Sequence, residues 1–203
     1  MTGAEARPPV LAGAVLAAGA SQRLGAPKQL VSFRGQPLLR HVVTKLEASL
    51  AGAPVAVVLG ARRLEIAPCL RDTPVEVLVN EAWSEGLASS IRLVVRWALG
   101  HTFSSLLLTV VDQPLLSRAH LDRLVAAHAQ AHQPVASTYD GVVGVPAIIP
   151  AACFDALLNL RGDRGAAGVL RSCADLIQVP WPAGSFDVDR PSDVERLRAL
   201  PLV

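Results

Sequence analysis

Two hydrophobic patterns take turns along the first two thirds of the chain. Short runs rich in branched residues stand at residues 14–18, 55–59, 75–79 and 106–111. Each is apolar almost without a break, which predicts strands covered on both faces. Between them the apolar positions fall at helical spacing. Residues 37–50 gather Leu38, Val42, Lys45, Leu46 and Ser49 near one face, and residues 86–99 gather Leu87, Ile91, Val94, Val95 and Ala98. Ser117 stands where an N-cap belongs, ahead of a helix carrying Leu121, Leu124, Val125 and His128. The alternation predicts an α/β fold: a Rossmann-like open, mostly parallel sheet in three layers, with helices on both faces.

After Pro134 the pattern changes. "PVAST" and "GVVGVPAIIP" read as strands joined by a turn at Tyr139, Asp140 and Gly141, an antiparallel extension of the sheet. A helix is expected over residues 151–158, then a glycine-rich loop "RGDRGAAG". A last helix begins in "DRPSDVERL", with Pro191 at its entry and Ser192 and Glu195 spaced as a capping box. No repeat or linker divides the chain, so residues 10–203 read as one domain behind a flexible tail over residues 1–9.

Composition narrows the classes. The 203 residues are 51% hydrophobic and 18% charged, enough for a proper core. Aromatics are 4%, so that core rests on Val, Leu and Ala. A net charge of +2 is too mild to argue for nucleic acid or a membrane surface as partner. No apolar run reaches the ~18 residues of a membrane helix. The opening "RPPVLAGAVLAAGA" has some look of a signal peptide, but Glu5 spoils the positive leader and cleavage after Ala20 would remove the first strand. Cys69, Cys153 and Cys173 read as free thiols, which suits a reducing cytoplasm. His41, His101, His120, His128 and His132 show no zinc spacing and are expected at the surface. Trp83 is expected in the core.

In open α/β sheets ligands sit beyond the carboxyl ends of the strands. The first such loop follows "AVLAA". Gly19, Ser21 and Gly25 suit a backbone that presents N–H groups to phosphate, and Arg23 and Lys28 add cationic side chains. A Walker A loop is excluded, because Ala26 and Pro27 separate Gly25 from Lys28 and Gln29 follows the lysine. A dinucleotide fingerprint is excluded by Ser21. On these residues alone, an ordinary strand-to-helix turn with exposed cations remains an equal reading. Asp112 ends the strand "LLLTVV", where a carboxylate suits Mg²⁺. Asp189 is a second acid, although an aspartate at a helix start also has the helix dipole to explain it. Asp187 is expected on the opposite face of a strand. Asn80 follows a strand and is placed to meet a ribose or base, and Ser89 and Ser90 open a helix.

The segment "LAAGASQRLGAPKQL" resembles the signature of MobA-like nucleotidyltransferases, most closely the molybdenum cofactor cytidylyltransferase branch. The resemblance continues through "NEAWSEGLASSI", "VVDQPLL", "GVVGVPAII", "LRGDRGAAGVL" and "DVDRPSDVERL". It implies transfer of a nucleoside monophosphate, most closely CMP from CTP, to the phosphate of a molybdopterin-type cofactor with release of pyrophosphate. It implies nucleotide contacts from Leu16, Ala17, Ala18, Gly19, Ser21, Arg23, Gly25, Lys28, Asn80, Ser89 and Ser90. Catalytic work would fall to Arg23, Lys28 and Asp112, and Mg²⁺ to Asp112 and Asp189. Gly162, Asp163 and Arg164 would receive the acceptor, with Arg161 a further candidate for its phosphate. In the resembling branches Ala at position 18 goes with cytidylyl transfer and Gly with guanylyl transfer. Other expectations are a cytoplasmic location and delivery to a molybdenum hydroxylase apo-enzyme. Transfer to another phosphorylated acceptor, such as a sugar phosphate or phospholactate, and a non-catalytic nucleotide-binding maturation factor are the alternatives.

Overall fold

The computed structural model describes residues 10–201; the expected tail over residues 1–9 lies outside them. The elements are β1 (Leu11–Leu16), β2 (Ser32–Phe33), β3 (Gln36–Pro37), α1 (Leu38–Leu50), β4 (Val55–Leu59), α2 (Arg63–Ile66), β5 (Glu76–Val79), α3 (Leu87–Gly100), β6 (Ser105–Val110), α4 (Arg118–Ala131), β7 (Val135–Tyr139), β8 (Val142–Pro150), α5 (Phe154–Leu158), α6 (Ala167–Ser172), β9 (Ile177–Pro180) and α7 (Pro191–Arg198). Seven strands form one sheet in the order β5-β4-β1-β6-β8-β7-β9. All neighbours are parallel except the two pairs made by β8. The first three strands of the sheet grow outward from β1 in one direction, and β6 then lands on the other side of β1. The crevice at this reversal of strand order is where open α/β sheets bind ligands.

Alternation along each central strand builds a core on both faces of the sheet. Val15 and Leu107 join Leu39, Val42 and Leu46 of α1 and Leu121 and Leu124 of α4 on one face. Ala12, Ala14, Leu106 and Leu108 join Ile91, Val94 and Ala98 of α3 and Phe154 of α5 on the other. Small residues on β1 let the helices come close. A Cβ at Gly13 would stand 2.6 Å from Leu50 Cδ1.

The structure corrects several expectations. Strand β1 begins and ends earlier than its apolar run, and Ala17 keeps one sheet bond, from its N–H to Val58 O (3.0 Å). Strand β5 is an edge, and Val77 and Val79 are exposed rather than covered. Leu87 also stays exposed, at the start of α3. The turn at Asp140 and Gly141 forms as expected, with φ of 47° and 74°. Ser117 accepts from the His120 N–H, as an N-cap should. At α7 the cap is different: Asp193, not the Ser192 and Glu195 pair, accepts from the Asp189 and Arg190 N–H groups at 3.1 and 2.8 Å.

Three histidines are buried instead of exposed: His41, His120 and His128. Their apolar neighbours cover them and their ring nitrogens find partners inside. Ser137 donates to Pro146 O (2.6 Å), so His120 Nε2 must donate to Ser137 Oγ (2.7 Å), and its Nδ1 accepts from Arg123 (3.0 Å). Burial first, then nearby positive charge, lowers His41 and His120 to about 4. The cysteines are free and half-buried, with Cys153 and Cys173 Sγ atoms 3.7 Å apart. Among the described residues no helix is long and apolar enough to cross a membrane.

Candidate active site

A cavity of about 590 Å³ opens at the reversal point between β1 and β6. One wall is the loop after β1. It leaves the sheet through Ala17, turns at Ser21 (φ 53°), and returns through Pro27 into a short 3₁₀ turn at Lys28–Leu30. Ala18 O accepts from the Ala61 N–H (3.0 Å), which ties the loop to the end of β4. That contact needs Gly60, where a Cβ would sit 2.6 Å from Trp83 Cβ and 2.8 Å from Ala18 O.

The second wall comes from the segment between β5 and α3. Trp83 packs partly against the core and partly lines the cavity, so it serves both roles. Gly86 has φ of 103°, and a Cβ there would strike Asp163 Oδ1 and the Gly162 backbone. The glycine thus lets the loop before α6 lie directly on the start of α3, with Ala88 N–H donating to Gly162 O (3.0 Å). This brings Asp163 into the cavity lining.

Across from these walls Asp112 follows the end of β6, and Asp189 precedes α7. One bond joins the two segments, from the Val188 N–H to Asp112 O (2.9 Å), and a second fixes Asp189 to the start of α7, where the Asp193 carboxylate accepts from the Asp189 N–H. The Lys28 ammonium sits between the two acids, 3.1 Å from Asp112 Oδ2 and 2.5 Å from Asp189 Oδ1. Arg23 reaches Asp189 Oδ2 at 3.4 Å from an exposed position. Burial pulls the Lys28 ammonium down, but Asp112 and Asp189 together outweigh it and hold the group above its ordinary value. Asp187 does not turn away on a strand. Desolvation, then repulsion by Asp112 and Asp189, pushes its carboxyl up to about 6.

These placements sort the expected residues. Leu16, Ala17, Ala18, Gly19, Ser21, Arg23, Lys28, Ser90, Asp112, Asp163 and Asp189 line one cavity. Asn80 and Ser89 stand behind its wall. The Asn80 amide donates to Ser89 Oγ and Ser90 Oγ (2.8 and 2.9 Å) and accepts from the Ala82 N–H, so it braces the segment from inside. Gly25, Gly162 and Arg164 are outside the lining. The Arg161 guanidinium is taken by the carbonyls of Leu158 and Leu160. Sequence reading passed over Gln29, Gly60 and Gly86. Gln29 sits beside the key lysine, and the glycines could have been sought wherever a strand end meets the next turn.

Two carboxylates gripping one cation fit a divalent ion as well, because hard oxygen donors suit Mg²⁺ or Mn²⁺. Among the described residues no group of three or more His, Cys, Asp or Glu converges to hold a metal. Asp112 and Asp189 are the residues that would hold such an ion.

A parallel-sheet crevice that sets a small-residue loop, a lysine and two aspartates around one cavity defines a nucleotidyltransferase-type α/β domain. The chain belongs to the MobA-like NTP transferase domain family, whose sequence model matches residues 13–177. It is 33% identical over 202 residues to nicotine blue oxidoreductase of Paenarthrobacter nicotinovorans, covering 93% of this chain and 97% of that one. It is 34% identical over 129 residues to molybdenum cofactor guanylyltransferase of Rhodobacter capsulatus, covering 59% and 62%. The crystal structure of Rv0371c from Mycobacterium tuberculosis H37Rv superposes with a TM-score of 0.79 at 28% identity, covering 95% of this chain and 98% of that one. A structure of Rv0371c in complex with manganese gives 0.74 at 26% identity, covering 94% and 100%.

Proposed function

We propose that the protein transfers CMP from CTP to the phosphate of a molybdopterin-type cofactor and releases pyrophosphate. The observation that carries this is the Lys28 ammonium shared by Asp112 and Asp189 in the crevice beside the Ala18 and Gly19 backbone. A phosphate oxygen of the acceptor attacks the α-phosphorus and forms a new P–O bond. The bond from that phosphorus to the α,β-bridging oxygen breaks, and pyrophosphate leaves with the electron pair. Lys28, Arg23 and the loop N–H groups stabilise the charge that gathers on the phosphates. Asp112 and Asp189, which grip Lys28 here, would hold Mg²⁺, and the ion would supply further neutralisation. The nucleophile is already ionised, so the site needs no histidine or cysteine as general base. The acceptor is assigned to the loop of Gly162, Asp163 and Arg164, of which Asp163 lines the cavity. The product passes to a molybdenum hydroxylase apo-enzyme in the cytoplasm, where nucleoside triphosphates are available.

The preference for CTP rests on Ala18. Ala18 is buried and lines the cavity, and on this reading its methyl group crowds a larger base that a glycine would admit. A methyl clash is worth about 1–3 kcal/mol, so GTP should be a slow substrate and not an excluded one. The test is kcat/KM for CTP and GTP with the same acceptor, in the wild type and in Ala18→Gly. CTP should lead in the wild type, and the substitution should narrow the gap. Faster turnover with GTP overturns the base assignment. Similarity to a protein named nicotine blue oxidoreductase supports a second reading, a redox reaction. Turnover without pyrophosphate release would favour it.

A further inference from the structure

We infer that Gln29 is the positioning residue of the nucleotide loop, an inference that rests on the nucleotide-transfer reading. Gln29 is 1% exposed. Its amide nitrogen donates to Ala17 O (2.7 Å) and Gly19 O (3.1 Å). Both partners are carbonyls, so only the NH₂ end can face them. Its Oε1 faces the Ser21 hydroxyl at 3.5 Å, and Ser21 Oγ accepts from the Lys28 N–H at 3.1 Å. Ala18 O is taken separately by the Ala61 N–H.

The consequence concerns donors. Three successive carbonyls, of Ala17, Ala18 and Gly19, are all occupied by protein groups. Among the described residues, the N–H groups from Ala18 to Arg23 donate to no protein acceptor. A loop that lines the cavity thus has its acceptors turned to the protein and its donors left for a ligand. Such unpaired N–H groups suit phosphate oxygens. Gln29 also adjoins Lys28, so one side chain sets both the loop backbone and the register of the lysine against Asp112 and Asp189. The role is indirect: Gln29 borders the cavity, but it is almost wholly buried against the loop and its polar atoms are spent on Ala17, Gly19 and Ser21, through which it acts.

Gln29→Glu keeps the size and removes the NH₂ group; as a carboxylate it sets a charge against the Ala17 and Gly19 carbonyls, and as an acid it returns one donor for the two that are lost. In the ligand-free full-length protein, backbone hydrogen exchange over residues 17–25 should quicken by about tenfold while the sheet is unaffected. With CTP and a molybdopterin-type cofactor, KM for CTP should rise about tenfold and KM for the acceptor should stay unchanged. A merely structural role would lower Tm and the active fraction and leave both KM values in place. If Gln29→Glu does not fold, Ser21→Ala removes the half-buried link to Lys28 and should shift exchange and KM in the same direction by less. Unchanged exchange over residues 17–25, or faster exchange with KM for CTP unmoved, overturns the inference. No pyrophosphate release by the wild type with any of the four nucleoside triphosphates would overturn the transfer reading instead, and the exchange result would still decide whether Gln29 orders the loop.

Discussion

Two opposite pulls act on the Lys28 ammonium. Burial disfavours the charge, and two carboxylates favour it more strongly. A cation held this way is fixed in place before any phosphate arrives. The buried histidines show the opposite balance, because burial and positive neighbours keep His41 and His120 neutral down to about pH 4. The unfolded chain takes up those protons near pH 6.5. Stability is therefore complete above pH 6.5 and falls as the pH drops from 6.5 to about 4. The limit is about 3 kcal/mol per histidine. Urea unfolding at intervals between pH 7 and pH 4.5 should show this decline. His120→Gln should lessen its steepness by up to one proton. A flat profile, or an equal slope in the variant, would contradict the assignment. These histidines illustrate what a sequence hides: polarity suggests the surface, and Ser137 and Trp181 arriving from elsewhere, with Arg123 one turn along the same helix, make the interior tolerable for His120.

Elements built from continuous apolar runs were legible, because covering both faces of a strand leaves a pattern in one short window. The central strands and α1, α3 and α4 fall close to their expected places. What was not legible depends on contacts distant in sequence. Strand β5 is apolar apart from Glu76, and it lies at an edge where Val77 and Val79 are exposed. Short α2 and β9 left no clear period. At α7 the spacing of Ser192 and Glu195 suggested one cap, and Asp193 forms another that also anchors Asp189. This gives the cap a functional consequence. Asp193→Ala should lower stability by about 1 kcal/mol through the lost cap. It should also raise the Mg²⁺ concentration needed for half-maximal turnover, because Asp189 loses its tether. Asp189→Asn should raise the Mg²⁺ requirement further, with little effect on the unfolding of the metal-free protein. A metal titration and a thermal melt of each variant check this. Wild-type Mg²⁺ dependence in both would remove the metal role of Asp189.

At the scale of the whole molecule, strand order decides where chemistry is possible. β6 crosses to the far side of β1, and this brings Asp112 opposite a loop read from residues about a hundred positions earlier. The Val188-to-Asp112 bond then brings in Asp189 from near the other end of the chain. Arg23, Lys28, Asp112 and Asp189 were each legible as residues following a strand or preceding a helix, and the sheet reversal explains why they meet. Asn80 was legible as a strand-end polar group, but its side chain is spent inside the wall. The most direct test of nucleotidyl transfer follows the label. CTP labelled at the α-phosphorus, incubated with Mg²⁺ and a molybdopterin-type cofactor, should yield labelled dinucleotide cofactor. CTP labelled at the γ-phosphorus should yield labelled pyrophosphate only. Lys28→Ala, folded as judged by its melt, should lower the transfer roughly tenfold to a thousandfold. Absence of α-label in the cofactor, or undiminished transfer by the folded Lys28→Ala protein, would contradict the account.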